Sequence, residues 1–288
     1  MVSLELLSSL DGLIWLQSGK KVGELFHQHQ TTVSRNLKKC SQAFGVRFLK
    51  QGGAWLVDGD RQLLKLEREV HQCARFQGKA PLRLEANGWN SSVLSSPPPA
   101  GWVTGTSQVF GVEHALQLVL DHIVDAWLCP LPDAPSCHAE LSVIPLCEVP
   151  MQLLVAPDHP LLQQAGLTLE EIKHYPLHWM PATSYPGTKA MVEKLGLWPR
   201  ANSKPRAETD LPSLQASEGV VHLSCALTQS RAKPTLVPLG LNLDAHTGVA
   251  LIIRRDYSNN SCISALCSDL RKRLRHLQQS HPDIQLLS

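Results

Sequence analysis

Apolar residues recur at Val33, Leu37, Cys40 and Phe44, in steps of four, three and four. That spacing lays one apolar stripe along a helix. Between the stripe positions stand Thr31, Thr32, Ser34, Arg35, Lys38 and Gln42, short and polar first and basic further along. A helix that buries one face and offers Gln, Thr, Ser, Arg and Lys on the other suits the major groove of DNA. Gln pairs with adenine, Arg and Lys pair with guanine, and Ser, Thr and Lys hold phosphates. An ordinary solvated helix face looks much the same, so the context decides. A short helical stretch at 22–27 and the polar turn Gln28, His29, Gln30 come first, which is the helix-turn-helix order. Leu4, Leu7, Leu10 and Ile14 predict another helix behind these two, with Ser3 as its N-cap. Gly45 suits the end of the reading helix. Residues 46–57 carry Phe48, Leu49, Trp55, Leu56 and Val57 around Gly52 and Gly53, the pattern of a short hairpin and hence of a wing.

Residues 60–76 form a second amphipathic segment. Leu63, Leu64, Leu66, Val70 and Phe76 alternate there with Arg61, Lys65, Glu67, Arg68 and Arg75, without glycine or proline. Such a helix between two domains buries its stripe by self-pairing or against its own body. Gly78 and Pro81 mark the boundary that follows. From residue 81 strands and helices alternate. Strands are predicted at 82–86, 102–105, 124–129, 141–146, 151–156, 176–180, 220–223, 235–239 and 248–253. Helices are predicted at 111–122, 170–173, 188–195, 211–217 and 261–278. Alternation of this kind predicts an α/β fold with mainly parallel sheets.

Charge sharpens the picture. Between Ser18 and Lys50 seven basic residues stand against Glu24 alone, a local charge of +6 in a chain whose net charge is +2. A patch so basic in a near-neutral protein suits a polyanion. After residue 78 there are 16 basic and 18 acidic residues, so the remainder is no second nucleic-acid binder. A chain of 288 residues is long enough for more than one domain. No apolar run is long enough to span a membrane. The apolar stretch at 4–16 is broken by Glu5 and Asp11 and lacks a positive flank, so it is not read as a signal peptide; a cytoplasmic location is expected. The eight cysteines have no metal-ligand spacing. They read as buried free thiols, with a redox pair at Cys129 and Cys137 as the minor alternative. There is no phosphate loop, nucleophile elbow or paired-histidine zinc motif, so neither catalysis nor a cofactor is expected.

The ordered set Ser18, Val22, Gly23, Phe26, Gln30 to Ser34, Phe44 to Val46, Phe48 and Leu49 resembles, without a gap, the reader module of the LysR-type transcriptional regulators. Gly23 stands where that family has alanine, Thr31 where it has proline, Cys40 and Ser41 where it has Leu-Glu, and Gln51 where arginine is common. The resemblance continues through 111–127, 155–161 and 167–172. It implies a winged helix-turn-helix at 1–58, a linker and dimerisation helix at 59–80, and an effector-binding domain at 81–288. That domain would be two α/β lobes like a periplasmic binding protein (type 2), lobe 1 at 81–157 and 246–288 and lobe 2 at 158–245. The chain would cross between them near Ala156 and Ala245. The expected partners are then duplex DNA with an inverted-repeat operator, a second copy of the chain in a homodimer or homotetramer, and a small-molecule effector.

The DNA contacts expected are Gln30, Thr31, Thr32, Ser34, Arg35 and Lys38. Ligands of open α/β sheets sit beyond the C-terminal ends of the strands. That rule points to Asn87, Trp89, Thr106, Ser107 and Trp127 in one lobe and to Ser184, Tyr185, Thr209, Asp210 and His222 in the other. Hydroxyls and backbone N–H groups after Gly105 suit a carboxylate effector, with Trp89 and Tyr185 covering an apolar part. The competing reading is a small-molecule binding protein or enzyme whose basic helix meets a protein partner.

Overall fold

The computed structural model describes residues 2–51, 54–86, 92–107, 111–178, 184–197, 219–229 and 236–287. The first module is three helices and a hairpin. Helices α1 (Leu4–Leu16), α2 (Gly19–Phe26) and α3 (Gln30–Phe44) precede strands β1 (Arg47–Gln51) and β2 (Ala54–Asp58). Ser3 caps α1, its hydroxyl accepting from the Leu6 N–H, and Gly45 ends α3 at φ 66°. The strands pair antiparallel, with Phe48 opposite Val57. Polar ties lock the turn. Asn36 Nδ2 donates to Ser9 Oγ at 2.9 Å, and Ser9 Oγ donates to Gln28 Oε1 at 2.5 Å. Gly23 makes room for this turn: a Cβ on it would stand 2.5 Å from the Gln28 carbonyl oxygen, so the backbone there would have to shift.

Helix α1 departs from its expected single stripe. Leu7, Leu10, Leu13, Trp15 and Leu16 are buried, and so are Ser9, Asp11 and Gly12. A helix buried nearly all round has neighbours on both sides. On one side lie α3 and α4 (Gln62–Phe76), where Leu7 and Leu10 share a core with Cys40, Phe44 and Leu64. On the other lies the larger domain, where Leu13, Trp15 and Leu16 share a core with Leu118, Val119 and Trp127.

The larger domain comprises β3 (Leu82–Glu85), α5 (Ser92–Ser95), β4 (Trp102–Gly105), α6 (Val112–Leu120), β5 (Ala126–Pro130), β6 (Leu141–Val155), α7 (Leu169–Ile172), β7 (Leu177–His178), α8 (Pro186–Lys194), β8 (Val221–Cys225), α9 (Ala226–Gln229), β9 (Val237–Pro238), β10 (His246–Arg254), α10 (Ser261–Gln278) and β11 (Gln285–Leu286). The strands follow the path β4-β3-β5-β10-β6-β8-β7, with β9 and β11 also paired to β6. Lobe 1 is built around β3, β4 and β5, lobe 2 around β7 and β8, and β6 and β10 join them. The sheet is mixed, not mainly parallel as expected: β3, β4 and β5 run parallel, while β10 and β6 pair antiparallel with their neighbours.

The expected strands at 141–146 and 151–156 are one strand, β6, which pairs β10 along its first part and β8 from Met151 onward. Pro145 and Pro150, which suggest a break, sit opposite Ala250 and His246, and a register shift between Val249 and Ala250 absorbs the irregularity. The two passages between lobes lie side by side there, the Met151 N–H donating to the Ala245 carbonyl at 2.8 Å. The expected helix at 211–217 lies outside the described residues. No described helix is long and apolar enough to cross a membrane.

Candidate DNA interface and effector crevice

The outer face of α3 is open. Gln30, Thr31, Ser34, Arg35 and Lys38 are exposed and Thr32 is half-buried, while Val33, Asn36, Cys40 and Phe44 face inward. Ser34 Oγ donates back to the Gln30 carbonyl at 3.2 Å, which leaves the hydroxyl oxygen able to accept. The hidden position the stripe did not predict is Asn36, whose amide serves the Ser9–Gln28 network.

Helix α4 faces two ways. Arg68, His71, Gln72 and Arg75 are buried toward α1 and lobe 1, whereas Leu63, Leu66 and Val70 are 56%, 55% and 48% exposed. Spaced by three and four, these three make one apolar stripe on the outside. On the buried side Asp11 of α1 accepts from Arg68 Nε at 2.8 Å and from Arg83 Nη1 at 3.2 Å. Arg83 also donates to Ser8 Oγ at 2.8 Å, and its guanidinium lies 5.3 Å from the Phe26 ring centroid. The reader module is therefore tied to lobe 1 of its own chain.

The C-terminal ends of β3 and β4 are Glu85 and Gly105, register partners in the parallel pair. Glu85 is fully buried; it accepts from Trp15 Nε1–H of α1, and the Ser107 N–H approaches its other oxygen at 3.5 Å. Neither Glu85 nor Trp15 stands out in the sequence: Glu85 reads as one more polar residue of a strand, and Trp15 lies off the expected stripe.

Lobe 2 closes on this end. A Cβ on Gly111 would stand 3.0 Å from Ser184. Tyr185 is buried and hydrogen-bonded to the Gly111 backbone; burial pushes its phenol well above the usual range, and the Glu85 charge adds to that. Asp133, in the turn after β5, caps α8 across the lobes. It accepts from the Gly187 N–H at 2.6 Å, the Thr188 N–H at 3.1 Å and the Thr188 hydroxyl at 2.5 Å. Its carboxyl is pushed up by burial, against those hydrogen bonds.

Of the expected effector residues, Ser107, Ser184 and Tyr185 thus come together around Glu85 and Gly111, and half-buried Thr106 adjoins them. Trp127 is the register partner of Glu85 on the neighbouring strand, but it is 1% exposed inside the α1–α6 core, because β5 is an inner strand covered on both faces. His222 is buried on β8, opposite Leu154 of β6 and His178 of β7. Asn87, Trp89, Thr209 and Asp210 lie outside the described residues. The expected carboxylate meets an obstacle. The crevice presents the carboxyls of Glu85 and Asp133, and the N-terminus of α8 is already filled by Asp133, so like charge and occupancy both oppose an anion. A separate cavity of about 510 Å³ opens at the hinge, lined by Leu131, Pro132, Pro145, Glu148, Met191 and His246 among others. Cys129 is buried, its thiol pushed well above the usual range, while Cys137 is exposed; both are free thiols. Among the described residues no group of three His, Cys, Asp or Glu side chains is placed to hold a metal.

Two lobes hinged on a pair of strands, with a winged helix at the N-terminus, define the class of fold. The LysR substrate binding domain family matches residues 107–275, more than half of the chain, and the chain belongs to that family. Among solved structures it is similar to a full-length OxyR variant from Pseudomonas aeruginosa, at 17% identity and TM-score 0.54 over 94% of this chain and 98% of that one. It is also similar to the regulatory domain of MetR, a LysR family regulator from N. meningitidis, at 19% identity and TM-score 0.51 over 73% of this chain and 99% of that one. No curated protein sequence matches the chain.

Proposed function

We propose that this LysR-family protein is a transcriptional regulator, not an enzyme, that binds an inverted-repeat operator through α3 and answers a small-molecule effector held between its lobes. The supporting observation is the open outer face of α3, with Arg35 and Lys38 exposed while Val33, Asn36, Cys40 and Phe44 pack inward. Gln30, Thr31, Thr32, Ser34, Arg35 and Lys38 are the contacts proposed. The exposed stripe of Leu63, Leu66 and Val70 is the proposed pairing surface of a homodimer, and two dimers would make a homotetramer. A two-fold protein needs half-sites about 34 Å apart along the duplex, or multiples of that. In this reading residues 1–58 read DNA, 59–80 link and pair, and 81–288 sense, in the cytoplasm.

The effector residues proposed are Thr106, Ser107, Ser184 and Tyr185, with Asn87, Trp89, Trp127, Thr209, Asp210 and His222 as further candidates. An effector acts only if it binds two arrangements of the readers unequally. The test is an anisotropy titration of the full chain against DNA flanking its own coding region, at several stated salt concentrations. Tight, salt-dependent binding to a restricted segment is expected; equal affinity for all segments would refute specific reading. A thermal-shift screen of small metabolites tests the effector arm separately.

A further inference from the structure

Trp15 belongs to α1 of the reader, yet its indole lies in lobe 1. It is fully buried and its Nε1–H donates to Glu85. The ring and the neighbouring Leu16 methyl rest on Gly105, where a Cβ would overlap both. The site therefore has a carboxylate acceptor at one end and a flat floor of bare backbone, set at the ends of two parallel strands. Ligands of such sheets sit in that position. Here the occupant comes from the chain's other module.

A buried carboxylate needs donors around it, and an indole N–H can only donate. From this geometry we infer that the slot bounded by Glu85, Gly105 and the Ser107 amide binds a planar aromatic or heteroaromatic molecule bearing an N–H donor. Trp15 is its intramolecular stand-in. A carboxylate ligand would bring like charge to Glu85. Such a ligand and the docked α1 compete for one space, so its binding releases the reader from lobe 1, and release favours its binding by the same factor. The inference rests on reading this crevice as the effector site, and it names the effector's chemistry and its link to the reader.

The test uses the full chain, with indole as the probe and benzoate as the anionic control, followed by calorimetry. Trp15→Ala empties the slot. Indole is expected to bind this variant at least about tenfold more tightly than the parent, the competitor having been removed. Adding Glu85→Met should abolish that gain, because the acceptor is lost. Hydrogen exchange of the α1 amides should rise in Trp15→Ala, and in the parent with indole at saturation. If Trp15→Ala does not fold, Trp15→Phe keeps an aromatic ring without the donor and should raise α1 exchange on its own. Three results would overturn the inference: indole binding indifferent to Glu85→Met, indole binding equal in parent and variant, or α1 exchange unchanged in the folded variants. Preference for benzoate would leave the effector reading standing and sink the donor chemistry. If no metabolite binds the chain at all, the effector reading itself fails.

Discussion

Arg75 and Asp125 meet in a two-point ion pair, Nε to Oδ2 and Nη2 to Oδ1, both at 2.8 Å. Both side chains are buried. Asp125 also accepts from Gln72 Nε2 at 3.0 Å and from the Arg83 N–H at 2.8 Å, so one carboxylate joins the linker helix to the first strand of lobe 1. Asp125→Ala strands a buried guanidinium, an amide and a backbone N–H together. Breaking a buried pair from one side costs about 3–5 kcal/mol. The expected result is an unfolding free energy lowered by that amount, read as a fall in urea midpoint at an unchanged m-value. A loss below about 1 kcal/mol would mean that water reaches Arg75 and that the linker is not seated as described.

Gly23→Ala sets two effects against each other. Alanine in a helix is favoured over glycine by about 1 kcal/mol. The new Cβ would stand 2.5 Å from the Gln28 carbonyl oxygen, which is backbone and cannot swing away. Overpacking of this kind costs about 1–3 kcal/mol. The clash should win: the variant melts lower and binds DNA more weakly, since the turn before α3 must shift. A higher melting temperature would show that the turn has room to give.

His122 sets a pH dependence. Its ring is buried, Nδ1–H donates to Gln72 Oε1 at 2.6 Å, and burial, helped by Arg254, Lys65, Arg75 and Arg68, pushes its pKa down from 6.5 to about 4. The unfolded chain takes a proton near 6.5 and the folded chain only near 4, so the unfolded state binds more protons between these values. Stability is therefore full above about pH 6.5 and falls as pH drops toward 4, on the order of 3 kcal/mol for this ring. The backbone at His122 is left-handed, φ 57°, which Asn tolerates. His122→Asn should flatten the fall in urea midpoint between pH 7 and pH 5 relative to the parent. Parallel curves would assign the acid sensitivity to other groups, His114 and His71 first, since burial lowers both.

Local pattern carried much of this far. The stripe from Val33 to Phe44 placed α3, and the unbroken run at 261–278 coincides with α10. What periodicity could not carry is contact between distant segments. Asp11, which reads as a break in an apolar run, is fully buried because Arg68 and Arg83 arrive from elsewhere in the chain. Trp15 reads as one more apolar residue of a helix, and only the fold brings Glu85 to it. The same limit explains β6: proline weakens a strand locally, but pairing to β10 before Met151 and to β8 from Met151 onward keeps it one strand. That Ser107, Ser184 and Tyr185 lie at the ends of strands and helices was legible because such ends are local features. The burial of Trp127 was not legible, because cover on both faces of β5 comes from distant segments.

The α4 stripe makes a prediction about assembly. Leu63, Leu66 and Val70 expose apolar surface on a helix whose opposite face is already packed. Replacing Leu66 and Val70 with Glu puts charge in the proposed seam without touching Arg68, Gln72 or Arg75. Light scattering should show the dimer dissociating to a folded monomer, with operator affinity falling as paired reading is lost. An unchanged mass would move the pairing surface elsewhere.

Lys38 and Arg35 share the outer face of α3 but should behave differently on DNA. Both are exposed and free to reach a duplex. A lysine holding a phosphate contributes through released counterions, so Lys38→Ala should weaken every sequence alike and reduce the slope of log K against log salt by about 0.9. An arginine reading guanine contributes at one position of the site, so Arg35→Ala should cost about 1–3 kcal/mol on the preferred operator and relax its preference there. Measuring both variants against the operator and a scrambled duplex, over a range of salt, separates the roles. An unchanged slope for Lys38→Ala removes the phosphate contact. Uniform weakening by Arg35→Ala moves that residue to the backbone and leaves Gln30, nearer the start of the helix, as the base reader to test next.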